Sequence, residues 1–72
     1  MARFAVNYYL GGDLLVTRNL ETEEGKSTII EKAMREEEVS FEDEKGVLHY
    51  FSMKDVKLIT VHESKKPMGI GL

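Results

Sequence analysis

The chain contains no cysteine, which removes disulfides and thiolate metal sites from consideration. No apolar run approaches the roughly 20 residues that a membrane-spanning helix needs. The first residues, Met1-Ala2-Arg3-Phe4-Ala5-Val6-Asn7, lack the long apolar core and small-residue cleavage site of a secretory leader. Charge of one sign is not in large excess. The net value of −3 lowers the expectation of nonspecific binding to nucleic acid or to an anionic membrane. No repeat at a solenoid period and no low-complexity segment is present. These absences point to a soluble, cytoplasmic protein without a cofactor.

What is present is a globular balance of 42% hydrophobic and 32% charged residues, not the composition of a disordered chain. At 72 residues it makes one domain. A domain of this size buries only about 60% of the surface its unfolded chain exposes. Small domains compensate with disulfides, metals or oligomerisation. With the first excluded, a homo-oligomer, most simply a dimer, is the expected device.

Residues 3–10 read as a strand, with Phe4, Val6, Tyr8 and Leu10 on one face. Gly11-Gly12-Asp13 signals a tight turn, and residues 14–20 complete a hairpin. Thr22 is a candidate helix cap, with Glu23 and Glu24 in the first turn. Ile29, Ile30, Ala33 and Met34 recur at helical spacing as one apolar stripe. The helix should fade at 36–38. Residues 39–42 and 47–53 make a second hairpin about Asp43-Glu44-Lys45-Gly46, a turn with left-handed glycine. Lys54-Asp55 connects to a last strand over 56–63. The expected fold is α+β: a mostly antiparallel five-stranded sheet with one helix after strand two, in the order β-β-α-β-β-β. Residues 1–63 form the domain and 64–72 a flexible tail.

A one-sided sheet should alternate cleanly between apolar and polar residues, and strands one, four and five do not. One helix cannot cover both faces. Tyr9, Leu48, Tyr50, Ile59 and Val61 are therefore expected on an uncovered, self-associating face. The competing expectation is a sheet that curls into a small barrel and encloses its own second face. The stretch 36–44 holds Glu36, Glu37, Glu38, Glu42, Asp43 and Glu44, and is expected to be either a solvated surface or a docking site for a protein partner. It lacks the alternating carboxylate spacing of a calcium loop.

Three chemical motifs fall short. Gly25-Lys26-Ser27-Thr28 matches the end of a phosphate-cradling loop, but Leu20 stands where its first glycine belongs and Glu21, Glu23 and Glu24 repel phosphate. His62-Glu63 opens a zinc-protease pattern, but Lys66 replaces its second histidine. No serine has a nucleophile context. Tyr8, Tyr9, Tyr50 and Phe51 with Arg3, Arg18, Lys54 and Lys57 are ingredients of a nucleic-acid platform. That platform requires Tyr9 and Tyr50 exposed on one face beside at least two of the cations. The leading expectation is a small non-catalytic interaction protein, a class that includes bacterial and phage accessory or inhibitor proteins. The alternative is a small nucleic-acid or nucleotide binder.

Overall fold

A computed structural model of the chain describes residues 2–64. The expected tail therefore lies outside the described residues except for Ser64, whose N–H donates to Arg3 O at 2.7 Å and is tied to the first strand.

The element order is β1 (Ala2–Gly11), β2 (Leu14–Thr22), α1 (Lys26–Arg35), β3 (Glu38–Glu42), β4 (Leu48–Ser52), a 3₁₀ turn (Met53–Asp55) and β5 (Leu58–Glu63). The fold is α+β with antiparallel strands, as the patterning indicates. The five strands do not share one sheet. β2, β1 and β5 form a three-stranded sheet in that order, and β3 pairs only with β4. The 3₁₀ turn separates β4 from β5: Met53 N–H donates to Glu37 O and Lys57 N–H to Tyr9 O. The chain thus leaves the hairpin and joins the far side of β1.

β1 is central, and its alternation sets the core. Phe4, Val6 and Tyr8 are buried on one face. Their cross-strand partners in β2 are Leu20, Arg18 and Val16, and in β5 Glu63, Val61 and Ile59. Gly11 and Gly12 turn the first hairpin at φ 102° and 59°, where a side chain is strained. The β1–β2 register shifts between Tyr9 and Gly11.

The helix lays Ile29 and Ala33 against this face. Its N-cap is Gly25 rather than Thr22, and no acidic residue lies in its first turn. Thr22 Oγ1 instead accepts from Glu24 N–H at 3.1 Å, which caps the bend before the helix. Met34, the fourth residue of the apolar stripe, is 68% exposed. Arg35 ends the helix, and Glu36 caps it in extended conformation.

The hairpin β3–β4 supplies the rest of the cover. Val39 is buried in the core, with Phe41, Phe51 and Met53 packed against it. Tyr8 and Phe51 meet edge to face, and Arg18 lies 5.4 Å over the Phe41 ring. Helix and hairpin together close one face of the three-stranded sheet.

Candidate functional site

Alternation in β3–β4 divides its residues as strictly as in β1. Val39, Phe41, His49 and Phe51 turn inward. Glu38, Ser40 and Glu42 turn outward, and stand opposite Ser52, Tyr50 and Leu48. Leu48 is 70% and Tyr50 67% exposed. Glu38 beside it pushes the Tyr50 phenol above its ordinary range. The outward face is thus two large apolar side chains flanked by two carboxylates. Sequence reasoning placed Leu48 and Tyr50 in one surface and Glu38 and Glu42 in another. The antiparallel register merges them.

The remaining acidic residues divide by role. Asp43 is committed to the turn. Its Oδ1 accepts from Lys45 N–H and Val47 N–H, both at 2.9 Å, and its Oδ2 lies 2.9 Å from His49 Nε2. A carboxylate only accepts, so the imidazole carries a proton at Nε2. The His49 hydrogen bond, followed by the Val47 amide, holds the Asp43 carboxyl below its usual range. His49 also stacks on Phe41 with centroids 4.9 Å apart. Glu44 accepts from Asn19 Nδ2 at 3.3 Å, where the hairpin tip reaches β2. Asp43 and Glu44 are therefore turn and contact residues rather than free docking charges. Glu37 and Glu38 remain exposed, as does Glu36, which lies near the Tyr8 hydroxyl.

A groove of about 290 Å³ runs between the helix and β1–β2, with Val6, Tyr8, Leu20, Ile29 and Ala33 among its lining residues and Arg18 and Glu36 beside them. Burial raises the Tyr8 hydroxyl above its ordinary range, the nearby Arg18 guanidinium opposes this, and Glu36 adds to it. Lys32 at the same groove is paired with Glu24. A second groove of about 370 Å³ lies between the helix and β5, lined by Ile30, Met34, Met53, Val56, Lys57, Leu58 and Ile59. Neither groove contains a histidine. Among the described residues no group of three or more His, Asp or Glu is placed to hold a metal ion.

Comparison with known protein families, with curated proteins and with solved structures yields no match.

The five residues expected on one self-associating face lie in three places. Ile59 and Val61 pack against the core, because β5 pairs with β1 so that Ile59 lies opposite Tyr8 and Val61 opposite Val6. The assignment from sequence started from Val56, but the strand begins at Leu58, and the irregular link breaks the parity. Tyr9 lies on the other face of the three-stranded sheet, between Leu15 and Leu58. Leu48 and Tyr50 lie on the hairpin.

That other sheet face is mostly polar. Arg3 Nη2 pairs with Glu21 Oε2 at 2.6 Å. Thr17 Oγ1 donates to Asn7 Oδ1 at 2.8 Å, and Asn7 Nδ2 donates to Thr60 Oγ1 at 3.1 Å. Such a face tolerates water without a covering partner. Tyr9 and Tyr50 project from the outward sides of two different sheets, Tyr8 is buried, and Arg3 is paired with Glu21. The aromatic platform required for nucleic-acid stacking is not assembled.

Sequence reasoning missed the exposure of Met34 and Leu58. Met34 lies at the rim of the helix's buried stripe, where periodicity alone does not distinguish rim from core, and Leu58 lies opposite Tyr9 on the outward face of the sheet.

Proposed function

We propose that this chain is a non-catalytic protein-interaction module. Its docking surface is the outward face of the β3–β4 hairpin, and it takes a partner segment with an apolar anchor flanked by lysine or arginine. The observation that carries this reading is the pairing of exposed Leu48 and Tyr50 with Glu38 and Glu42 across one hairpin. Aromatic anchors contribute most where water is excluded, and complementary charge around them steers the encounter. The hairpin is braced from behind by Val39, Phe41 and Phe51, so the surface is presented without large reorganisation. A cytoplasmic setting belongs to the same reading. Its support is the lack of cysteine and, among the described residues, of any helix long and apolar enough to cross a membrane.

Selection of peptides from a random display library on the full chain tests this. The expected outcome is enrichment of sequences with an aromatic or branched anchor beside basic residues. Their binding should weaken with added salt and vanish in Tyr50→Glu and Leu48→Glu, while Leu15→Glu, on the opposite side of the molecule, leaves it intact. Selected peptides that still bind Tyr50→Glu and Leu48→Glu remove the hairpin face from the proposal.

A further inference from the structure

We infer that the groove between α1 and the β1–β2 hairpin binds a small zwitterion with an aliphatic side chain, of the class of a free branched α-amino acid. This site shares no residue with the outward face of the β3–β4 hairpin, so it does not rest on the docking surface proposed above.

Arg18 places a charge on an apolar face. Phe4, Val6 and Tyr8 mark the covered side of the three-stranded sheet. The register sets Leu20, Arg18 and Val16 opposite them, so Arg18 rises from the same side. Its neighbours Val16 and Leu20 pack against the core. A guanidinium drawn out of bulk water is costly unless a counter-charge meets it. Arg18 is half-buried and, among the described residues, in no ion pair. The Phe41 ring lies 5.4 Å from it, which steadies a cation without neutralising it.

Two further polar groups converge on the same space. Tyr8 is 2% exposed, and the charges that act on its hydroxyl are Arg18 and Glu36, both of which line the groove. The O–H end of the ring therefore looks into the groove, where no described residue accepts its proton. Glu36 is exposed and, like Arg18, in no ion pair among the described residues. The other charges of the rim are matched, Lys32 with Glu24 and Glu21 with Arg3.

One cation and one anion are thus left facing a common groove. A ligand with a carboxylate alone meets repulsion from Glu36, and one with an ammonium alone meets repulsion from Arg18. An α-amino acid satisfies both. Its carboxylate accepts from the guanidinium and the Tyr8 hydroxyl, and its ammonium faces Glu36. The floor formed by Val6, Leu20, Ile29 and Ala33 is aliphatic and takes a branched side chain. A volume of about 290 Å³ lies at the small end of ligand sites and suits a molecule of this size.

Titration of the full chain with L-leucine, followed by amide and methyl NMR shifts, tests this inference. The expected result is saturable shifts at Val6, Leu20, Ile29 and Ala33 in the millimolar range. Isocaproate lacks the ammonium and isoamylamine lacks the carboxylate, and each should bind about tenfold more weakly. Glu36→Gln alters an exposed side chain, where folding is not at stake. It should weaken L-leucine while isocaproate binds at least as well as before. Arg18→Met keeps the long apolar stem and should abolish L-leucine binding while sparing isoamylamine, which a loss of fold would not do. Tyr8→Phe keeps the ring and should weaken L-leucine about fivefold. No saturable shift up to about 50 mM L-leucine overturns the inference. So does binding that treats the three probes alike, or that is unchanged in Arg18→Met and Glu36→Gln.

Discussion

The rings of Tyr8 and Phe51 meet edge to face, with centroids 5.1 Å apart and planes inclined at 65°. Tyr8 belongs to the central strand of the larger sheet and Phe51 to the hairpin, so this contact ties the two sheets together. Edge-to-face pairs add about 1 kcal/mol beyond the area they bury. A double-mutant cycle on Tyr8→Leu and Phe51→Leu should therefore give a coupling energy of about 1 kcal/mol in urea denaturation. A coupling near zero would mean that the ring pair adds nothing beyond the area each ring buries.

Val39 and Leu48 differ in exposure more than any other aliphatic pair on the hairpin, 1% against 70%. Val39→Ala should cost about 2 kcal/mol through lost burial and a residual cavity. Leu48→Ala should change stability by less than about 0.5 kcal/mol. Equal effects in chemical denaturation would contradict the assigned inner and outer faces.

Acid should loosen the hairpin tip. The folded Asp43 carboxyl titrates below its unfolded value because His49 and two amides bond its charged form. Its contribution is present above the ordinary carboxylate range and is lost as pH falls through the depressed folded value. The protection of the Lys45 and Val47 amides from exchange, relative to their intrinsic rates, should fall across that acidic window. Asp43→Ala should show the fast exchange at neutral pH, with a lowered melting temperature.

Gly46 closes the same turn at φ 85°. A Cβ there meets only Glu42 Oε2 at 3.7 Å, so space is not the obstacle. The cost is the left-handed backbone. Gly46→Ala should destabilise by about 1 kcal/mol, and Gly46→Asn by less, since asparagine tolerates this region better. Thermal melts of the two variants give the comparison.

Much of the architecture was legible along the chain. Phe4, Val6 and Tyr8 alternate through a strand of aromatic and branched residues, and Gly11-Gly12 and Asp43 to Gly46 place both turns. The helix was legible from Ile29 and Ala33, and its end at Arg35 follows from the run of glutamates after it. Its start was misread because Thr22 offers a hydroxyl in the right place for a cap and spends it on the preceding bend. The surfaces were less legible. Ile59 and Val61 look no different in sequence from Leu48 and Tyr50, yet the first two meet the core and the second two meet water.

The amino-acid sequence by itself determined the class and order of the elements and, within each strand, which residues share a side. Those properties follow from turn chemistry and from the two-residue period of an extended chain, which are local. Only the tertiary structure decided which side is covered, that β5 crosses to β1 instead of following β4, and that acidic and apolar residues of the hairpin form one surface. Parity relates neighbours along a strand but carries no information about what packs on either side. That information arises when β1 packs Tyr8 against Phe51 over the sheet and seats Val6 beside Val61 within it.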